Sequence, residues 1–127
     1  MEITVQRIGD VGVAAVPVED LDAGNAADFK RDMAAVIDAN GKLVLDLSRL
    51  HFVDSSGLGA FISCLRKLNA KGGDLKLCGM SKPVRGVFEL VRMHRIFDIL
   101  PTQDAAVRAF ATDAGVSAGV TPRDSGA

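Results

Sequence analysis

The stretch from Leu43 to Leu68 constrains this chain most. It opens with Leu43-Val44-Leu45-Asp46-Leu47, passes through the turn-like Asp54-Ser55-Ser56-Gly57-Leu58-Gly59, and continues as an amphipathic run. The first segment is short, nearly continuous in apolar residues and bounded by polar ones, as expected of a strand covered on both faces. Leu58, Phe61, Ile62, Leu65 and Leu68 then recur at helical spacing, while Arg66, Lys67 and Lys71 fall mostly off that stripe. Strand, loop and helix in this order predict a layered α/β fold in which the helix packs down onto a sheet. Asp54, Ser55 or Ser56 can cap the helix, because each side-chain oxygen can accept from an otherwise unpaired first-turn N–H. Two serines and two glycines thus stand at a helix start.

The flanking sequence extends the same architecture. Ile3–Ile8 alternates, Gly9-Asp10 suits a turn, and Val11–Val18 follows, so a hairpin is expected with Pro17 near the end of its second strand. Helical spacing takes over after Gly24, where Phe29, Met33, Val36 and Ile37 share a face; Asn25 is the expected cap and Asn40-Gly41 the stop. After the central helix ends near Gly72-Gly73, Leu75 and Leu77 mark another strand. Ser81 before Lys82-Pro83 starts a third helix carrying Val84, Val87, Phe88 and Val91. Ile96, Phe97, Ile99 and Leu100 predict a short last strand, and Thr102 caps a helix with Ala106, Val107 and Phe110. Strand–helix–strand units that cross over right-handedly gather the loops after the strands along one sheet edge. Glu19–Asn25, Ser48–Gly59 and Gly79–Lys82 are therefore expected to converge there.

With 127 residues, 48% of them hydrophobic, the chain suffices for one domain with a real core, expected over residues 1–112. From Asp113 to Ala127 only Val116 and Val120 are sizeable apolar residues, too few to offset ordering entropy, so this tail is expected to be disordered. A net charge of −1 gives no electrostatic reason to expect nucleic acid or an anionic membrane as partner, and with 0 Trp, 0 Tyr and 6 Phe a stacking platform for single-stranded nucleic acid is poorly supplied. No apolar run approaches the roughly 18 residues of a membrane span, and Met1-Glu2-Ile3-Thr4 does not open a secretory signal. A cytoplasmic protein without membrane insertion is expected. Cys64 and Cys78 lie in apolar surroundings and read as reduced core thiols.

Catalysis finds little support. No glycine lies two residues before Ser55, so the nucleophile-elbow pattern is absent; His51, the nearest histidine, reads as a partly exposed loop residue. Gly57-Leu58-Gly59 begins a dinucleotide fingerprint, but Ile62 holds the third glycine position, and no Walker pattern occurs. Weak nucleotide binding by the domain itself stays a lesser alternative. Asp20, Asp22, Asp46 and Asp54 suit strand ends and turns better than a metal site, and no cofactor is implied. Lys82, Arg85, Arg92 and Arg95 read as a solvated helix face. A phosphate on either serine, by contrast, would sit well against first-turn N–H groups and the positive end of the helix dipole.

Leu43–Leu47 followed by Phe52-Val53-Asp54-Ser55-Ser56-Gly57-Leu58-Gly59 resembles the strand and phosphorylation loop of the STAS-domain anti-sigma-factor antagonists of bacteria. Gly72-Gly73-Asp74-Leu75 and Val84–Leu90 are similar to weaker family patterns, so that the resemblance extends to about Phe110. It implies a mixed sheet with helices packed mainly on one face. It also implies a non-enzymatic regulator that binds a serine-kinase anti-sigma factor when unmodified, is released by phosphorylation of Ser55, and is restored by a phosphatase. Asp22, Asp54, Ser55, Ser56, Gly57, Gly59 and Ser81 would form the contact surface, with Ser56 a second acceptor. The family's glycine before the first loop is missing from Glu19-Asp20-Leu21-Asp22. A STAS subunit docking without phosphorylation, in a signalling or transporter-associated assembly, is the main alternative.

Overall fold

The computed structural model describes residues 1–116. The hairpin forms from β1 (Val5–Ile8) and β2 (Val11–Ala15), turning through Gly9 at a positive φ of 62°. The second strand stops at Ala15, short of the expected Val18, after which the Val16 N–H bonds the Asp46 carbonyl at 3.0 Å. There follow β3 (Asp20–Leu21), α1 (Ala26–Ala39), β4 (Lys42–Asp46), β5 (Phe52–Val53), α2 (Ser55–Ala70) and β6 (Asp74–Cys78). The chain then forms α3 (Lys82–Leu90), a single 3-10 turn at Met93–Arg95, β7 (Asp98–Leu100) and α4 (Gln103–Val116). The last helix therefore includes Asp113 to Val116 of the expected tail, and the rest of that tail, 117–127, lies outside the described residues.

The main sheet has the order β1-β2-β4-β6-β7, with β1 antiparallel to β2 and every other pairing parallel, so the sheet is mixed. Its period of two separates the residues cleanly. Ala14, Leu43, Leu45, Leu75 and Leu77 join the larger core with Phe29 and Met33 of α1, Phe61 and Leu65 of α2, and Val84 and Phe88 of α3. Val11, Val13, Val44 and Cys78 point the other way and meet Ala106 and Phe110 of α4. Three helices thus cover one face and the last covers the other, which is why β4 reads as a nearly continuous apolar run.

Aromatic rings tie the larger layer together. Phe29 meets Phe61 edge-on at 5.7 Å, Phe61 lies 6.1 Å from Phe88, and Phe88 lies 5.9 Å from Phe97. On the opposite face Lys76 is buried, paired with Asp98 at 2.8 Å and lying 4.7 Å from the Phe110 ring centre. Its charge is thereby partnered inside the layer. Cys64 and Cys78 are both buried free thiols; burial pushes Cys64 up to about 11 and Cys78 up to about 12.

Two expected caps behave differently from their sequence signals. Asn25 occupies the position before α1 but makes no side-chain cap bond to it; its Oδ1 accepts from the Asp22 N–H at 2.9 Å and its Nδ2 donates to the Asp20 carbonyl at 2.8 Å. It shapes the preceding loop instead. Asn40 ends α1 in an extended rather than left-handed conformation, and its buried Nδ2 donates to the Val36 carbonyl at 2.9 Å.

Candidate functional site

The parallel strands end on one side of the sheet, and the three polar loops meet there. The two-residue strands β3 and β5 pair in parallel, Asp20 with Phe52 and Leu21 with Val53, joining the first loop to the second. The Glu19 carbonyl accepts from the N–H groups of His51 at 2.7 Å and Phe52 at 3.1 Å. Ser81 links the third loop: its Oγ donates to the Leu50 carbonyl at 3.3 Å and accepts from the Val84 N–H at 3.4 Å, capping α3.

Asp54 is the cap of α2. One carboxylate oxygen accepts from the Gly57 N–H at 3.1 Å, satisfying a first-turn donor, and the other accepts from the Ala23 N–H at 3.3 Å. The same side chain therefore fixes the helix start and holds the first loop against it. Asp22 folds that loop: its Oδ1 accepts from the Gly24 N–H at 2.9 Å and its carbonyl accepts from the Ala26 N–H at 2.8 Å.

Ser55 is the first residue of α2 and is exposed; Ser56 is half-buried. Among the described residues no hydrogen bond occupies the Ser55 hydroxyl, and none joins it to His51, which is exposed. Gly59 lies four residues on, on the same helix face as Ser55, is exposed, and has open space where a Cβ would stand. Gly57 differs. It is buried, and a Cβ there would come within 2.5 Å of the Leu21 carbonyl and 2.6 Å of Val53 Cγ2. Expected on the contact surface, Gly57 is buried, and its missing Cβ lets β3 lie directly on α2.

Asp46, at the end of β4, binds the loops from behind. Its oxygens accept from the Ser48 N–H at 2.8 Å and from Gln103 Nε2 at 2.6 Å, connecting the second loop to α4. Burial raises its carboxyl, but these bonds from Ser48 and Gln103 outweigh burial and hold it below the usual range. Gly79, at φ 71°, passes so close that a Cβ would stand 2.8 Å from Asp46 Oδ1. Asp46 is therefore a structural hub, and among the described residues no group of three or more His, Cys, Asp or Glu side chains is arranged to hold a metal ion.

Phe52 was not among the predicted contact residues, yet it is 51% exposed close in sequence to Asp54 and Ser55, while Val53 is buried. Its signal is alternation over a strand of two residues, too short to carry a period. The face thus combines an exposed hydroxyl at a helix start, a carboxylate beside it, a glycine gap one turn on, and a ring at the rim.

Taken together, the chain is a small mixed α/β domain with a loop-lined, serine-bearing face at the carboxyl ends of its parallel strands. It belongs to the STAS domain family, whose model matches residues 2–106. Among curated relatives, the Bordetella bronchiseptica protein BtrV, described as a candidate anti-sigma factor antagonist, is 31% identical over 113 residues. The match covers 88% of this chain and 97% of BtrV. A crystal structure of a Thermotoga maritima protein described in the same way superposes with a TM-score of 0.77 at 26% identity, covering 84% of this chain and 92% of that one. The Bacillus cell fate determinant SpoIIAA, solved in its phosphorylated form, shares the fold with a TM-score of 0.62 at 22% identity, covering 85% of this chain and 99% of its own. No described helix is long and apolar enough to cross a membrane.

Proposed function

We propose that this protein is an anti-sigma-factor antagonist that docks on a serine-kinase anti-sigma factor through the Ser55 face and is released when Ser55 is phosphorylated. The observation that carries this reading is the exposed, unengaged Ser55 hydroxyl at the first position of α2, beside the Asp54 carboxylate. Transfer of the γ-phosphoryl group of ATP to the Ser55 oxygen, with loss of the hydroxyl proton and departure of ADP, adds about −1.5 to −2 charge. The helix dipole and first-turn N–H groups tolerate an anion there, so the domain stays folded. A partner seated on Asp22, Asp54, Ser56, Gly59, Ser81 and Phe52 would meet a dianion next to a carboxylate, and docking is penalised. A phosphatase reverses the change and restores binding. The names of the relatives support an anti-sigma factor as the partner, and a phosphorylated form of a protein with this fold supports the switch.

Intact-mass spectrometry after incubation with ATP, magnesium and the candidate kinase, followed by fragmentation, tests the acceptor. One phosphate on Ser55, absent from Ser55→Ala, is expected. In binding assays Ser55→Ala should stay associated in the presence of ATP while Ser55→Asp binds about tenfold or more weakly, the scale of one interface hot spot. Equal affinities, with no phosphate added by a kinase that binds, would instead favour a phosphorylation-independent docking subunit.

A further inference from the structure

We propose that the outer face of α3 and the turn after it form a second docking surface, for a protein partner presenting an acidic amphipathic helix. Five large apolar side chains are exposed among the described residues, and three of them, Leu90, Val91 and Ile96, lie within seven residues of one another. Leu90 is 84% exposed, whereas Val84 and Phe88 on the other side of α3 are buried in the core. Exposed apolar side chains gathered in sequence at one helix end and the turn after it favour an interaction surface there.

Its surroundings select the partner. Arg92 and Arg95, both exposed, lie between Val91 and Ile96 in the chain, and Lys82 is exposed at the helix start. The acidic residue of this face, Glu89, is already bonded by Arg85 at 3.3 Å. Among the described residues no salt bridge engages Lys82, Arg92 or Arg95. These cations face solvent in a chain whose net charge is −1, and guanidinium forks match carboxylates. Gly86 adds the shape. It stands between Lys82 and Leu90 at four-residue steps on one line of the helix, is exposed, and has nothing within 4 Å of the position a Cβ would take. Packing inside this molecule does not require glycine there, but a second backbone can approach closely at the gap.

A bilayer is the poorer occupant. The apolar face of α3 is spent on the core, the three remaining side chains cannot bury a helix face, and the chain has 0 Trp and 0 Tyr to sit among headgroups.

Fluorescence anisotropy with a labelled synthetic helix, in which glutamates at four-residue steps flank a leucine stripe, tests the surface. The wild type should bind it saturably and less tightly as salt rises. Gly86→Gln should bind about tenfold or more weakly while raising Tm, because glutamine is the better helix former, so its loss cannot be unfolding. Arg92→Glu with Arg95→Glu should lose binding similarly, whereas Arg66→Glu with Lys67→Glu on α2, an equal change of charge elsewhere, should not. The proposal is overturned if the wild type shows no saturable binding, if both α3-side variants bind normally, or if the α2 control loses as much. It is equally overturned by wild-type sedimentation with phosphatidylglycerol vesicles that the arginine variant abolishes, or by self-association that Gly86→Gln abolishes.

Discussion

At Asp54 one carboxylate closes two elements, accepting from Gly57 of α2 and Ala23 of the first loop. Asp54→Ala removes both bonds, and a loss of about 1–2 kcal/mol is expected in urea unfolding, the usual range for a lost N-cap. Asp54→Asn keeps one acceptor oxygen and should fall between. Gly57 is the steric partner of that cap: Gly57→Ala drives a Cβ to 2.5 Å from the Leu21 carbonyl, and backbone yields poorly. About 1–3 kcal/mol should be lost, as for overpacking elsewhere, with the two-residue β3–β5 ladder disturbed first. The thiols give a pH dependence. An unfolded cysteine titrates near about 8.5, whereas burial holds Cys64 to about 11 and Cys78 to about 12. Through that interval the unfolded chain binds fewer protons than the folded one, so the stability contributed by the neutral thiols is intact below it and falls as pH rises through it. Urea midpoints at pH 7.5 and pH 10 should show the decline, and Cys64→Ala with Cys78→Ala should flatten it.

Helices α2 and α3 each carry an exposed glycine with open space around its missing Cβ, Gly59 and Gly86. An interior helical glycine costs about 0.5–1 kcal/mol relative to alanine, so Gly59→Ala and Gly86→Ala should each raise the urea midpoint by that equivalent. Gly59→Gln should also stabilise the domain yet weaken the docking proposed for the Ser55 face, a combination that separates surface recognition from folding. The long periodic elements were legible in the sequence because Phe29, Met33 and Ile37, or Leu58, Phe61, Leu65 and Leu68, repeat over several turns. The short ones were not. Strands β3 and β5 hold one buried residue each, Leu21 and Val53, so no period exists to read, and their pairing depends on contact between loops 31 residues apart in sequence, as at Ala23 and Asp54. Asn25 takes the expected cap position without making the cap bond for a related reason: a side chain that can cap a helix can equally bond the turn before it, and tertiary placement decides between them. Serine and aspartate at the start of α2 were legible because the cap is local. That Gly57 lies inside and Gly59 outside depends on how β3 crosses the helix, which spacing does not encode.

Seen across the whole molecule, the sheet needs both of its layers. Its second face presents Val11, Val13, Val44 and Cys78, and Ala106 and Phe110 of α4 complete their burial. Gln103 anchors the same helix to Asp46 at 2.6 Å, and Asp46 also holds Ser48, so the cover of the back face and the loops of the front edge share one hub. These contacts differ in size. Phe110→Ala deletes a ring that is 4% exposed and lies over the buried Lys76, and about 3–5 kcal/mol should be lost. Gln103→Ala removes one hydrogen bond and leaves the apolar layer in place, so its loss should be nearer about 1 kcal/mol. The two variants also differ in what they expose. Ending the chain after Leu100 uncovers the whole back face, a contiguous apolar patch of the kind that drives association. Light scattering should then report aggregates for the truncated chain, and particles of the wild type's size for both Phe110→Ala, though destabilised, and Gln103→Ala. If truncation left a stable, unaggregated chain of the wild type's association state, α4 would be an accessory to the sheet instead of its second layer.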